Sequence, residues 1–146
     1  MMAVDTSVLV GAIQTFDLEL RGSARHALKS LYRRGEQMVC FPQNMVEFWS
    51  VAARPVKDKG LGLKLDQTDQ YVDRFQTVIR LLPETPDVFA IWQMLVMVHR
   101  VGGVHVHDAR IVAAMAVHRV STILSFDRDD FRGYAGIAAV HPSEIK

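Results

Sequence analysis

Short apolar runs at residues 2–4, 37–41, 80–82, 122–125 and 137–140 alternate with longer stretches in which apolar residues recur at steps of three and four. The first pattern is that of buried strands, the second that of amphipathic helices. Ala24, Ala27, Leu28, Leu31 and Tyr32 mark one helix, with Gly35 as its stop. Another begins after Pro42 and ends by Arg54-Pro55, because the residue before a proline resists helical geometry. Tyr71, Val72, Phe75, Val78 and Ile79 predict a helix over 66–81. Thr85-Pro86 reads as a cap followed by proline in the first helical position, and Val88, Ile91, Trp92, Leu95 and Val98 carry that stripe to Gly102-Gly103. A last helix is expected over about 107–118. Strands separated by helices of this length predict an α/β fold, a mainly parallel sheet of about five strands flanked by helices. Residues 56–65, with three lysines and two glycines, read as an exposed, mobile connection, or alternatively as a basic lip beside a binding groove.

The chain has 146 residues, about half of them apolar, which suits one domain with one sizeable core. Lys and Arg number 17 and Asp and Glu 16, so no global field draws a polyanion and any such partner needs a local basic patch. The single cysteine, Cys40, excludes an internal disulfide and reads as a small core residue. No stretch approaches the roughly 20 apolar residues of a membrane span. Asp5 interrupts any secretory leader pattern, and the cytosol is the expected location.

That same Asp5 breaks the hydrophobic pattern at its first strand, where Asp5-Thr6-Ser7 separates residues 2–4 from the apolar residues 8–10. Ligands of open α/β sheets gather beyond the carboxyl ends of the strands. Four acids are placed to meet there. Asp5 ends the first strand, Glu47 lies early in the helix after the second, Asp108 starts the last long helix, and Asp127 comes just after the fourth strand. Taken alone, Asp5 could be a turn residue or cap, Asp108 could favour its helix start, Asp127 could shape a turn, and Glu47 could pair with Arg54 or sit on a wet helix face. Together, in apolar surroundings, they would repel one another unless a divalent cation supplied compensating charge. Oxygen donors with room for water suit Mg²⁺ or Mn²⁺.

Val4-Asp5-Thr6-Ser7, Gln43-Asn44-Met45-Val46-Glu47-Phe48-Trp49 with Arg54-Pro55, His107-Asp108-Ala109-Arg110 and Ile123-Leu124-Ser125-Phe126-Asp127 occur in this order along nearly the whole chain. The set resembles the acidic motifs of PIN domains, and within them the VapC-like toxin ribonucleases of bacterial toxin-antitoxin pairs. The resemblance implies a single PIN-like domain over residues 1–146. It also implies Mg²⁺- or Mn²⁺-dependent hydrolysis of RNA phosphodiesters, with a cognate antitoxin and a homodimer as partners. By the same resemblance Asp5 and Asp108 are the core metal ligands. Asp127 is a ligand directly or through water, and Glu47 a water-mediated ligand or base. Ser125 takes the hydroxyl position before the last acid, where many relatives carry threonine, and Thr6 or Ser7 is the polar neighbour of the first. Asp130 is the alternative to Asp127, although it precedes Phe131 and could instead tie down a turn.

Arg54, Arg110, Arg128 and Arg132 lie near the acidic motifs and could meet RNA phosphates; alternatively they pair with local carboxylates. His105 and His107 alternate in Val104-His105-Val106-His107-Asp108 and offer a rival reading as a zinc pair on an extended stretch. A third reading makes the chain a PIN-like interaction module without turnover. Trp49, Phe75, Trp92 and residues 94–97 are apolar enough to supply partner surfaces, or else belong to the core.

Overall fold

The computed structural model describes residues 1–146. Five strands, β1 (Met2–Val4), β2 (Met38–Cys40), β3 (Arg80–Leu81), β4 (Thr122–Leu124) and β5 (Ala138–Val140), form one sheet in the order β3-β2-β1-β4-β5. Every neighbouring pair is parallel. Six helices flank it: α1 (Thr6–Ile13), α2 (Leu18–Arg33), α3 (Pro42–Ala52), α4 (Leu65–Gln76), α5 (Asp87–Val98) and α6 (Val106–Val117).

The central strands β1, β2 and β4 are apolar because both faces of the sheet are covered there. Their period of two divides them between two cores. Val4, Met38, Cys40 and Leu124 face α1, α2, α3 and α4, where they meet Val8, Leu9, Ala27, Phe48 and Phe75. Ala3, Val39 and Ile123 face the other way, onto Val88 of α5 and Ile111, Val112 and Met115 of α6. Cys40 is fully buried, and burial pushes its thiol up to about 12.

All five strands fall where the hydrophobic runs place them, and three boundaries or elements differ. Residues 6–13, to which the apolar pattern assigns no element, form α1. The helix expected over 66–81 stops at Gln76, the hydroxyl of Thr77 donates to the Arg74 carbonyl, and Arg80–Leu81 leaves to pair with β2. Thr85 does not cap α5: its hydroxyl is buried without a partner, and Pro86 holds the position before Asp87. The connection over 56–65 is exposed for most of its length, and backbone bonds pin it to the end of α3. Leu61, Gly62 and Leu63 donate to the carbonyls of Val51, Arg54 and Ala52 at 3.0, 2.8 and 2.9 Å.

The order of the strands fixes where a ligand can sit. β1 hands the chain to β2 on one side and takes β4 on the other, so the crevice beyond the carboxyl ends of β1 and β4 is the switch point of the sheet.

Candidate functional site

Asp5 leaves β1 at that switch point, and Ser125 leaves β4 beside it. Both are buried. Asp5 stands at the N-cap of α1, yet its side chain makes no capping bond. Instead Oδ2 accepts from the hydroxyls of Ser7 at 2.7 Å and Ser125 at 2.8 Å. The same hydroxyl oxygens take backbone donors from the loop after β4, Phe126 N–H onto Ser7 at 3.1 Å and Asp127 N–H onto Ser125 at 2.9 Å. The first acid and the loop of the last are thus laced together through two serines.

Glu47 is held by a separate chain of bonds. Thr6 donates to its Oε2 at 3.0 Å and the Gln43 amide to its Oε1 at 2.7 Å. Gln43 sits one helical turn before Glu47, the spacing at which side chains on α3 meet. Its amide also donates to the His107 carbonyl at 2.8 Å, and its carbonyl oxygen accepts from Arg110 at 2.9 Å. Asn44 closes the start of α3 by accepting from the Phe41 N–H at 2.9 Å. Helix α3 is therefore tied to α6 across the mouth of the site.

Asp108 lies in the first turn of α6, half-buried. His105, in the 3₁₀ turn that leads into α6, places Nδ1 3.3 Å from Asp108 Oδ2 and 4.0 Å from Asp130 Oδ1. One donor atom each from His105, Asp108 and Asp130 lie within 4.8 Å of one another. Asp130 comes from the 3₁₀ turn Arg128–Phe131 immediately after Asp127.

The charges of these acids act on each other. Burial holds the Asp5 carboxyl above the usual carboxylate range, the Ser7 and Ser125 hydroxyls partly offset this, and the charge of Asp127 adds to it. Burial raises Asp108 to about 6, with Asp130 and then Asp5 adding to the rise and His105 opposing it. Asp127 is raised by burial and by Asp130. Even the Tyr134 hydroxyl is lifted, by burial and then by Asp108. Asp5, Asp108, Asp127 and Asp130 are one electrostatic group assembled from three distant parts of the chain, and the basic group that opposes the rise at Asp108 is a solvent-facing imidazole. Hard oxygen donors carrying uncompensated charge are the donor set that a divalent cation fits.

Of the residues the sequence singles out, Asp5, Asp108, Asp127 and Ser125 come together, and Glu47 joins them through Thr6, neighbour of Asp5. The choice between Thr6 and Ser7 has a divided answer: Ser7 holds Asp5 and Thr6 holds Glu47. Asp130, the alternative to Asp127, is the acid whose oxygen lies with Asp108 and His105. The four arginines are all engaged elsewhere. Arg54 donates to Ser50, Arg110 pairs with Glu84 at 2.7 Å, Arg128 with Glu144, and Arg132 with Asp129 at 2.8 Å. The paired zinc histidines do not survive, because residues 103–105 coil into a 3₁₀ turn and Val106 opens α6, which removes the extended alternation that would point both rings one way. Gln43 carries the strongest signal that sequence reasoning passes over, a polar side chain one turn before Glu47.

A model of the PIN domain matches residues 2–137, and the chain belongs to that family. Proteins of the family are typically nucleases with a divalent metal at an acidic site. Among solved structures the fold is similar to VapBC2 from Rickettsia felis bound to a DNA fragment from their promoter, at 12% identity and a TM-score of 0.70 over 96% of this chain and 97% of that one. It is also similar to FitAcB from Neisseria gonorrhoeae, at 20% identity and 0.68 over 97% and 98%. A third similar structure is the sarcin-ricin loop cleaving toxin VapC20 of Mycobacterium tuberculosis, at 20% identity and 0.65 over 94% and 98%. No curated protein sequence matches the chain.

Proposed function

We propose that this protein is a divalent-metal-dependent endoribonuclease, the toxin of a toxin-antitoxin pair, formed by one cytoplasmic domain over residues 1–146. The observation that carries the reading is the group of Asp5, Asp108, Asp127 and Asp130, each of the first three held above the ordinary carboxylate range by burial and by its acidic neighbours. Such crowding costs stability in the free protein, and a non-catalytic scaffold has no use for that cost. Mg²⁺ or Mn²⁺ at this site would lower the pKa of an attacking water and neutralise charge on the phosphodiester and leaving oxygen.

The residues divide the work between them. Asp5 and Asp108 are the central ligands, with Asp127 and Asp130 completing the oxygen set from the loop after β4. Ser7 and Ser125 keep Asp5 oriented, because each donates to the same carboxylate oxygen. Glu47 is fixed by two donors, Thr6 and Gln43, so it can hold a water at a set place and accept its proton. Arg110 fixes Gln43 and so supports Glu47 rather than reaching for phosphate. Arg54, Arg128 and Arg132 are exposed, and release from their present partners would let them meet the RNA backbone.

Two surfaces suit protein partners. Helix α5 buries Val88 alone and leaves Phe89, Met94, Met97 and Val98 exposed, a face for a second copy of the chain. A groove of about 430 Å³ lined by Met45, Val46, Trp49, Ser50 and Val72 between α3 and α4 suits the apolar side of a small antitoxin helix. Titrating purified protein with single-stranded RNA in Mg²⁺ or Mn²⁺ tests the enzymatic reading. Cleavage should stop with chelator and fall at least about 100-fold in Asp5→Asn and Asp108→Asn while circular dichroism stays native. Full activity in either variant removes the assignment.

A further inference from the structure

We infer that His105 is a nitrogen donor to the metal of the acidic site, so that the site discriminates for Mn²⁺ and against Mg²⁺. This rests on the proposed reading of that cluster as a divalent-cation site.

The geometry is specific to one imidazole. His105 Nδ1 is 3.3 Å from Asp108 Oδ2 and 4.0 Å from Asp130 Oδ1, and the three donor atoms span no more than 4.8 Å. An octahedral ion with bonds of about 2.1 Å sets adjacent ligands about 3 Å apart and opposite ones about 4.2 Å apart. The three atoms therefore need only small movements to share one ion. Their backbone supports are short and regular. His105 and Asp108 are separated by three residues across the junction of the 3₁₀ turn with α6, which places both side chains on the same side of the helix start. The ring has no other protein contact within hydrogen-bonding distance than Asp108, and its side chain is 63% exposed. It is therefore free of a packing role and open to a ligand. His107, by contrast, contributes its carbonyl to Gln43 and stands outside the donor cluster.

Donor chemistry then sets the preference. Mg²⁺ is hard, sheds water reluctantly and takes oxygen almost exclusively, whereas imidazole suits transition ions, which rise in affinity from Mn²⁺ onward. A site of carboxylates alone separates these ions weakly. One nitrogen among the oxygens separates them more. If His105 served instead only as a cationic partner of Asp108, it would oppose any cation at the site, and its removal would tighten metal binding.

The test reads the ligand atom directly. Mn²⁺ bound to the full-length protein is examined by electron spin-echo envelope modulation, which reports ¹⁴N coupled to the ion, and affinities for Mn²⁺ and Mg²⁺ are measured by calorimetry. Wild type and His107→Ala should show nitrogen modulation, and His105→Ala should lose it. Mn²⁺ affinity should fall on the order of tenfold or more in His105→Ala, with Mg²⁺ affinity changed by no more than about threefold. Mn²⁺ binding that is lost in Asp108→Asn, yet shows no nitrogen modulation in wild type or tightens in His105→Ala, overturns the inference and leaves the acidic site standing. Absence of any Asp108-dependent Mn²⁺ binding overturns both.

Discussion

Asp108 is the residue at which the cost of the site is most directly measurable. Its carboxyl sits at about 6 against 3.8 for the unperturbed group, so between those values the folded protein holds a proton that the unfolded chain has released. Stability therefore falls as pH rises through this window in the metal-free protein. Asp108→Asn removes that penalty, and its melting temperature without metal should exceed that of wild type at pH 7 and match it near pH 4. Metal binding must expel the same proton. Calorimetry in buffers of different ionisation enthalpy should show proton release near pH 6, with affinity weakening as pH drops below that point. Ser125 offers a second residue-level test. Deleting its hydroxyl strips one donor from a buried carboxylate and an acceptor from the Asp127 N–H, a loss of about 1.5 to 3 kcal/mol for a hydrogen bond to a charged group. Ser125→Ala should lower the melting temperature and reduce cleavage about tenfold or more, and Ser125→Thr, which keeps the hydroxyl, should restore both.

At the scale of elements, Gly60 shows how the exposed connection is held. A Cβ there would lie 2.0 Å from the Arg54 carbonyl oxygen, the very group that accepts from Gly62 N–H at 2.8 Å. Gly60→Ala should cost about 1 to 3 kcal/mol by forcing that turn apart, as a shift in urea midpoint at unchanged slope would record. Lysines in the segment read as a loop from composition, but nothing local announces backbone bonds back to α3. The central strands were legible because both faces of a parallel sheet are covered there, which makes β1, β2 and β4 apolar runs, whereas the exposed edge strand β3 carries Arg80. Helix α1 was not, since its eight residues come directly after a strand with no turn between them and Asp5, its N-cap, looks like a break. The four acids Asp5, Glu47, Asp108 and Asp127 could be put at one edge from the rule that strand ends and helix starts share it. That rule says nothing of which acid in Asp127, Asp129 and Asp130 turns inward, because a 3₁₀ turn spaces side chains differently from a strand or an α-helix. It also could not pair Arg110 and Arg128, whose partners Glu84 and Glu144 are far away in sequence, while Arg132 meets Asp129 three residues before it.

For the whole molecule, the apolar face of α5 makes a claim about assembly. Phe89, Met94 and Met97 are 63%, 55% and 60% exposed, and an aromatic and two thioether side chains clustered on one helix suit a protein interface more than water. Light scattering after gel filtration should find a dimer for wild type and a monomer for Met97→Glu, with the fold intact in both. An unchanged mass for the variant would move the interface elsewhere. The order of the strands reaches further than the folded state. β1 lies in the middle of the sheet and bonds to β4, whose residues are 122–124, so Asp5 gains Ser125 and the acids beyond it only once that distant strand has been made. During translation the first acid is made well before the last ones, so a nascent chain that stops short of residue 125 has Asp5 without those partners. On the ribonuclease reading, a partly made chain that lacks β4 has no complete site with which to cut RNA.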